Sequence, residues 1–358
     1  MKNYFLTLLM SVFIVNSLHA QEDVEEVVVT SSLTSSALAD IEDPLHVVEG
    51  DDIDSSATQS LGETLDDLLG VSSQDYGAAV GRPVIRGMTG TRVKILNNGF
   101  VVQDVSGMGG DHTNEIDFND IKQVEIVRGP SSLLYAKGTV GGIINIVDDL
   151  IAKKDFNEQE INLGLETQSV SEGDSQSFSY KNNIAGFNVS LAFKDSSFGN
   201  YDIPDGAVIH MEEEHHEDHD EDHEEEHHED EETSFLANSD AAKTAQRIGI
   251  SKTGDWGYFG VGFRDQESVF GLPYHVEPPG AHGDEHGDEH GDEDDHDEHG
   301  EERIFSSTNS EAFDIQGAYI VKGEVLKKIM FNFRDTDYIH TEQHMEMEED
   351  HDEHEDEE

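Results

Sequence analysis

The chain has 358 residues, which is enough for two or three domains, and its 80 Asp and Glu against 21 Lys and Arg give a formal net charge of -59. So few basic side chains exclude nucleic acid as a natural partner, because phosphate binding needs clustered Lys and Arg, and they make a cationic ligand the natural inference. The sequence contains no cysteine, which excludes disulfides and thiolate metal sites and leaves His, Asp and Glu as metal ligands.

Residues 1–20 are typical of a secretory signal peptide. Lys2 supplies the basic start, an apolar run follows, and Ala20 stands before a polar residue. The apolar run is shorter than the ~20 residues that a transmembrane helix needs, so the sequence predicts cleavage near Ala20. No other run approaches that length, and any membrane insertion is therefore expected through a β-barrel.

The segment 21–39 contains an acidic patch followed by Val27, Val28, Val29 and Thr30. A short β-prone run in a polar terminal segment suits pairing with the strand edge of another protein. The alternative is that these residues form the first strand of the next domain.

Residues 40–152, which we assign to one domain, have the composition of a small globular fold with helices and strands. Ser60 and Glu63 fit a capping box for a helix whose leucines keep helical spacing as far as Leu69, and Gly70 ends it. Four strands are predicted after this helix, in the segments RPVIRGM, TRVKILNNG, KQVEIVRG and IINIV.

Residues 153–358 follow a different pattern. Segments of roughly ten residues with partial alternation, many aromatic residues and many glycines are typical of antiparallel strands in a barrel. These segments are EINLGLETQS, QSFSYKN, GFNVSLAFKD, AQRIGISKTG, WGYFGVGFRD, FDIQGAYIVK and KKIMFNFRDTDY. A soluble β-sandwich is the alternative.

The lengths of the connections favour the barrel. From the strand at Glu160 onward, long connections at 196–243 and 267–305 and a His-rich tail from residue 339 alternate with short turns. Every long connection is therefore expected on one rim and every short turn on the other, as in outer-membrane barrels with long extracellular loops. A sandwich has no reason to sort its connections in this way.

The long connections carry three tracts of His and carboxylate residues, at 211–232, 284–302 and 342–358. The tracts hold 15, 12 and 11 acidic residues and no Lys or Arg, and so account for 38 of the 59 net negative charges. Carboxylates alone suit calcium or magnesium, whereas interleaved neutral imidazoles shift the preference to zinc, nickel, copper or cobalt. The candidate ligands in and beside the tracts are His215, His216, His219, His223, His227, His228, His282, His286, His290, His296, His299, His344, His351 and His354.

One match within the first tract is misleading. His223 to His227 reads as a literal HExxH, the metalloprotease pattern. A segment built only from His, Asp and Glu produces such matches by composition, and it has no apolar face to bury a helix. The sequence therefore predicts no enzyme activity and no catalytic cofactor.

Three stretches, EEVVVTSS, PVIRGMTGTRVKILNNG and VEIVRGPSSLLYAKGTVGGIINIV, resemble a TonB-dependent outer-membrane receptor. The resemblance covers Glu25 to about Val147, and it departs from the family where Ala136 follows the Tyr of the last motif in place of Gly. It implies an α+β plug domain inside an antiparallel transmembrane β-barrel. Only part of the barrel is expected in this chain, because the family's barrel has 22 strands and about seven fit after the plug.

The resemblance also implies functional roles for individual residues. Val27 to Thr30 look like the TonB box, to which TonB adds a strand in the periplasm. The His-rich loops are similar to those of the zinc-uptake branch, in which an Asp-His pair at the top of the plug binds the ion, here Asp111 and His112. Glu115 and Asp117 would then hold the imidazole as outer partners.

The implied protein is a Gram-negative outer-membrane receptor with extracellular loops and a plug that faces the periplasm. Its partners would be TonB, outer-membrane lipid and a divalent transition-metal ion, with Zn²⁺ as the expected cargo. The alternatives are the same fold importing haem, nickel, copper or cobalt, and a surface metal buffer without transport.

We expect zinc binding by the tracts to weaken as the pH falls through about 6.5, the ordinary value for histidine, because a ligating imidazole must be neutral. Isothermal titration of a peptide of residues 211–232 with zinc, at one pH above and one below that value, measures the effect. A peptide with every His replaced by Asn is the matched control, since carboxylates stay ionised over this range. Zinc affinity that does not change with pH would argue against ligation by histidine.

Overall fold

The computed structural model describes residues 45–54, 60–77, 79–129, 132, 137–204, 207, 234–273 and 302–346. The predicted signal peptide, the run from Val27 to Thr30 and most of the three tracts lie outside these residues. No helix in the described ranges is long and apolar enough to cross a membrane.

The first described part of the chain is a small α+β domain. Its elements are β1 (Leu45–Glu49), α1 (Gly50–Asp54), α2 (Leu61–Leu65), β2 (Val71–Asp75), β3 (Gly81–Ile85), β4 (Val93–Asn97), β5 (Phe100–Val101), β6 (Ile121–Val127) and β7 (Gly142–Asp148). Five of the strands form one sheet in the order β1-β6-β7-β4-β5, in which β4 and β7 run parallel. β2 and β3 form a separate antiparallel hairpin.

Helix α2 begins where the capping box predicted. Ser60 is its N-cap, and the side-chain oxygen accepts a hydrogen bond of 3.3 Å from the backbone N–H of Glu63. The helix is shorter than predicted, because it ends at Leu65 and the following turns direct the chain into β2. Leu69 is 84% exposed, and Gly70 makes the reversal with a φ of +78°.

An aliphatic core holds α2 and the β2–β3 hairpin against the five-stranded sheet. Its fully buried members are Leu65, Ile85, Val124, Ile126, Ile144 and Ile146. Burying a side chain of this size contributes about 1.5–3 kcal/mol. The four strands predicted from RPVIRGM, TRVKILNNG, KQVEIVRG and IINIV are confirmed as β3, β4, β6 and β7.

The second described part is dominated by one large antiparallel sheet, in the order β8-β9-β10-β13-β14-β15-β16. The strands are β8 (Glu160–Gln168), β9 (Gly173–Ile184), β10 (Phe187–Phe198), β13 (Ala241–Gly254), β14 (Gly257–Gly271), β15 (Glu302–Ile320) and β16 (Lys328–Glu346), with β11 (Tyr201–Asp202) and β12 (Phe235–Leu236) as a separate ribbon. All seven predicted strands are present. The predicted loop from residue 339 is wrong in part, because β16 stays paired with β15 as far as Glu346.

The strands that bound both long connections end on the same side of the large sheet, as predicted, and the short connection 169–172 between β8 and β9 lies on that side too. Two-residue turns at 185–186 and 255–256 lie at one end, together with the turn at 321–327. The strand ends that flank 199–240 and 272–301 lie together at the other end, where neighbouring strands pair Phe198 with Ala241, Ala241 with Phe270 and Gly271 with Phe305.

One face of the large sheet exposes a continuous apolar row. Its members, exposed and close in cross-strand register, are Leu163, Phe178, Phe193, Ile248, Phe263 and Phe313. Water-facing surfaces rarely carry a contiguous apolar patch of this kind, whereas the outer face of a membrane barrel requires one. The opposite face carries polar side chains and receives the α+β domain.

A buried carboxylate joins the α+β domain to the large sheet. Asp148, at the end of β7, accepts hydrogen bonds from Arg264 at 2.9 and 3.2 Å and from Arg247 at 3.2 Å. Asn98 donates to the same carboxylate at 2.8 Å. Burial disfavours the charged form, but the two guanidinium groups outweigh it and hold the pKa of Asp148 well below its ordinary value.

A second carboxylate extends this ionic network across the sheet. Asp314 on β15 accepts from Arg264 at 3.1 Å and from Arg334 at 2.5 and 2.8 Å. Arg334 also donates to Asn97 of the α+β domain at 2.9 Å, and its guanidinium lies over the ring of Phe100. Three arginines of the large sheet are therefore neutralised by carboxylates from both parts of the chain.

We expect Asp148→Asn to destabilise the attachment of the α+β domain by about 3–5 kcal/mol, because two buried guanidinium groups lose their counter-charge. Thermal unfolding and protease susceptibility of residues 45–148 measure the change. Asp149→Asn is the matched control: its carboxylate is 31% exposed and lies 3.9 Å from Lys122, so its effect should stay below about 1 kcal/mol. Equal effects of the two variants would contradict the network.

The same substitution has a predicted pH dependence. Because the folded-state pKa of Asp148 lies below the unfolded value of about 3.9, its stabilisation is complete above that pH and is lost as the pH falls through the folded value. The difference in stability between wild type and Asp148→Asn should therefore shrink in acid. A difference that grows on acidification would contradict the sign.

Candidate metal centre

The loop of residues 104–117, between β5 and β6, is called here the apical loop. Its two ends are tied together by Asp104, which accepts from the backbone N–H and hydroxyl of Ser106 at 3.2 and 2.6 Å and from the backbone N–H of Glu115 at 3.3 Å. Burial raises the pKa of Asp104 above its ordinary value, against the effect of these hydrogen bonds.

Arg82 of β3 holds the first half of the apical loop. One guanidinium nitrogen donates to the carbonyls of Ser106 at 2.8 Å and Gly109 at 2.6 Å, and another donates to Gln74 at 3.2 Å. Only 8% of Arg82 is exposed. A planar, multidentate donor can satisfy two loop carbonyls at once, so Arg82 sets the path of the chain just before Asp111 and His112.

The second half of the apical loop is anchored to the large sheet. Glu115 accepts from Gln266 at 2.7 Å and from the Ser268 hydroxyl at 3.0 and 3.1 Å, both on β14. Asp117 lies 3.3 Å from Nε of Arg247. Both carboxylates were expected to hold the imidazole of the plug site, and the structure instead gives them partners on the large sheet.

These anchors place His112 against β16. Its Nε2 lies 3.5 Å from Oε1 of Glu342, and Nε2 of His340 lies 3.4 Å from the same oxygen. The two imidazole rings meet edge to face, with centroids 5.5 Å apart. His112 is buried, while Glu342 is exposed, so the group has a closed side toward the domain and an open side toward solvent.

Strand geometry explains why His340 and Glu342 meet at this point. They are two residues apart in β16, and alternation places both side chains on the face that receives the α+β domain. β15 pairs Thr308 with His340 and Ser306 with Glu342. Two donors of the group therefore come from the large sheet, and His112 comes from the apical loop.

The group has the composition and spacing of a metal site. One ligand atom from each of His112, His340 and Glu342 lies within 4.8 Å of the other two. Tetrahedral zinc bound to nitrogen and oxygen at about 2.0–2.1 Å separates its ligand atoms by roughly 3.3 Å. The distances from Oε1 of Glu342 to Nε2 of His112 and to Nε2 of His340, 3.5 and 3.4 Å, are close to this value. A small inward movement of the two imidazoles would complete three positions of such a site.

Asp111 stands on the other side of the His112 ring. Its Oδ1 lies 3.9 Å from Nδ1, and that nitrogen is buried without a hydrogen-bond partner among the described residues. In this arrangement Asp111 faces the ring atom that points away from Glu342. Its side chain is 40% exposed and so has room to rotate toward the group.

The remaining predicted site residues fall outside the part of the chain that the structure describes. For TonB binding these are Val27, Val28, Val29 and Thr30. For metal binding they are His215, His216, His219, His223, His227, His228, His282, His286, His290, His296, His299, His351 and His354. His344 lies in β16 with its backbone paired to Ile304, and its side chain is not described.

The sequence prediction assigned His340 and Glu342 to the His-rich tail and did not place them beside His112. The signal that could have found them is the alternation in Tyr338, His340 and Glu342, which continues the inward positions of the preceding strand segment. The alternation was not recognised, because a segment rich in His and acidic residues is also typical of a polar tail, which the sequence predicted from residue 339.

Comparison with known proteins identifies the α+β domain. Residues 37–143 match the family model described as TonB-dependent Receptor Plug Domain. Over these residues the α+β domain is therefore similar to the plug domain of TonB-dependent receptors. The predicted plug is thereby confirmed, and the large sheet that surrounds one side of it provides the barrel strands.

Curated relatives match the plug region. Vitamin B12 transporter BtuB of Photobacterium profundum is 29% identical over 122 residues, which is 34% of this chain and 20% of that protein. Vitamin B12 transporter BtuB of Vibrio vulnificus is 31% identical over 137 residues, which is 37% of this chain and 22% of that protein. Each match thus spans about a fifth of the relative's length.

Solved structures extend the likeness to the barrel strands. Copper transporter OprC has a TM-score of 0.55 at 14% identity, covering 82% of this chain and 37% of that chain. The FrpB iron transporter from Neisseria meningitidis (F3-3 variant) has a TM-score of 0.57 at 13% identity, covering 81% and 40%. The predicted fold class, a plug with part of an antiparallel barrel, is confirmed. Both proteins are named as transporters.

We expect Arg82→Lys to loosen the apical loop, because a lysine ammonium cannot reproduce the planar fork that serves two carbonyls and Gln74. Hydrogen exchange at residues 106–112 of the plug should accelerate at least about tenfold, while exchange in β6 and β7 stays unchanged. Arg86→Lys, at an exposed turn position, is the matched control. Unchanged protection of the apical loop in Arg82→Lys would show that other contacts hold it.

Proposed function

We propose that this chain is part of a TonB-dependent outer-membrane receptor that captures a transition-metal ion and imports it, with zinc as the preferred cargo. The observation that carries the proposal is the group of His112, His340 and Glu342, in which the plug and a barrel strand each supply ligands. A cargo bound there would contact the plug directly. Movement of the plug would then change the cargo's ligand set.

The donor atoms favour zinc over other classes of cargo. Two imidazole nitrogens and one carboxylate oxygen form a set that zinc uses in proteins, whereas calcium takes six to eight oxygens. Haem would need an axial ligand in an apolar cleft, and His340 is instead flanked by the hydroxyls of Ser306 and Thr308. Nickel, copper and cobalt accept the same donors as zinc and remain the rival cargoes within this fold.

Asp111 and the His-rich tracts have complementary roles in the proposed pathway. The tracts create a strongly negative rim that concentrates divalent cations. The ion then passes to His112, His340 and Glu342, and Asp111 rotates to supply a fourth, anionic donor. Several weak exchangeable sites in the tracts suit this transfer better than one tight site, because each ion must be released inward.

The proposed topology follows from the predicted boundaries, with a signal peptide at 1–20, a TonB-box segment at 21–39, the plug at 40–152 and barrel with His-rich loops at 153–358. Cargo binding would make Val27 to Thr30 available in the periplasm, where TonB adds a strand. The exposed apolar row of the large sheet supports contact with outer-membrane lipid. The long connections would then be extracellular.

We expect cells that express the intact protein to take up radiolabelled zinc, and uptake to be lost on deletion of residues 27–30 and strongly reduced by His112→Ala or His340→Ala. Loss of a direct ligand should weaken binding by more than the roughly 10–100-fold that an outer partner contributes. His46→Ala, in β1 and outside the group, is the matched control.

Two outcomes would count against this function. Zinc bound at the cell surface without uptake, and unaffected by deletion of residues 27–30, would identify a metal buffer. The second measurement is competition between metals. Displacement of zinc by cobalt, nickel or copper at equal concentration would identify that metal as the preferred cargo. Displacement of zinc by calcium would contradict ligation by imidazole, because calcium takes oxygen ligands.

A further inference from the structure

Two buried hydroxyl groups hold both nitrogens of the His340 ring. Oγ1 of Thr308 lies 3.0 Å from Nδ1, and Oγ of Ser306 lies 3.0 Å from Nε2. Both hydroxyl residues are shielded from solvent, since Ser306 is 0% and Thr308 is 4% exposed. The ring is therefore oriented by protein groups before any ion arrives.

Strand register produces this arrangement. Thr308 is directly opposite His340 in the β15–β16 pair, and Ser306 is directly opposite Glu342, so Ser306 is the diagonal neighbour of the imidazole. The β-pleat places all four side chains on the face that receives the plug. The hydroxyls thus occupy positions that the fold dictates.

The two hydroxyls cannot act on the ring in the same way. A neutral imidazole has one N–H donor and one acceptor nitrogen, so one hydroxyl must accept from the ring while the other donates to it. The metal-facing atom is Nε2, because it is the nitrogen that lies 3.4 Å from Glu342, whose carboxylate also meets His112. A metal ligand must present a lone pair on that atom.

We propose that Thr308 and Ser306 have opposite effects on metal capture, an inference that rests on the proposed function of this site. Thr308 accepts the Nδ1–H hydrogen bond and so selects the tautomer that leaves the Nε2 lone pair available, against the Glu342 carboxylate, which lies 3.4 Å from Nε2 and favours the opposite tautomer. Ser306 donates to that lone pair while no ion is bound, and an incoming ion must displace this hydrogen bond. Thr308 is a positioning residue, and Ser306 is a built-in competitor that favours release.

The arrangement would tune the site for transport. Outer partners that orient a ligating histidine raise metal affinity, so Thr308 makes capture effective. A hydroxyl that replaces the ion at Nε2 stabilises the empty site, so the ion leaves without exposing an unsatisfied buried acceptor. A receptor that must release its cargo gains from both effects.

The test compares zinc affinity among variants of the intact protein purified from outer membranes. We expect Thr308→Val to weaken binding about 10–100-fold and Thr308→Ser to restore it, since serine keeps the accepting hydroxyl. We expect Ser306→Ala to strengthen binding about 2–10-fold, the effect of one ordinary hydrogen bond removed from the empty state. Opposite signs at neighbouring hydroxyls are not expected of residues that only support the fold.

Each variant is also made with His340→Ala, which separates this site from the His-rich tracts. Both hydroxyl effects should vanish in that background, because the imidazole they act on is gone. Weaker binding in Ser306→Ala, failure of Thr308→Ser to restore affinity, or effects that persist without His340 would overturn the inference. Equal zinc binding by wild type and His340→Ala would instead overturn the proposed function at this site, and the inference with it.

Discussion

The carboxylate of Asp148 is the charge on which the arrangement of plug and barrel depends. It is buried with two guanidinium groups from β13 and β14, and Asp314 balances the second of these and Arg334 beyond it. In such surroundings no member of the network can be withdrawn alone without leaving an uncompensated buried charge. The network therefore stabilises the position of the plug in which the apical loop contacts β16.

Two sets of contacts hold the apical loop, one within the plug and one to the large sheet. Asp104 and Arg82 determine its shape within the plug, and Glu115 attaches it to Gln266 and Ser268 of the barrel. His112 lies between these two sets of anchors. Contacts on both sides therefore fix the position of His112. Its imidazole can then face β16 with little rearrangement of the apical loop.

Local patterns predicted most of the fold. The capping box at Ser60, the strand from Gly142 and the alternating segments of the large sheet are each encoded within a few neighbouring residues, and each was found where expected. Helix α2 was overestimated because leucine spacing persists beyond Leu65 although the chain already turns toward β2. Periodicity alone cannot distinguish a helix face from a turn with similarly spaced apolar residues.

The candidate site was predictable only in part. The Asp111-His112 pair stood out through the family resemblance, but its partners depend on which strand reaches the apical loop, a pairing between residues more than two hundred positions apart. His340 and Glu342 also belong to a polar strand face inside a barrel, where inward residues are hydrophilic and alternation is easily mistaken for a loop. Arg82 left no sequence signal, because its role consists of hydrogen bonds to carbonyl groups that any residue types could provide.

Because the proposed ligands are divided between two parts of the chain, binding of an ion there would depend on the assembly of plug and strands. A plug separated from its strands retains one imidazole of the group, and the strands retain one imidazole and one carboxylate, neither of which encloses an ion. Affinity at the proposed site would exist only while the interface is intact, because separating the plug from the strands would also separate the ligands. Binding and release of an ion would then correspond to the joined and the separated states of the interface between plug and strands, without a further conformational step.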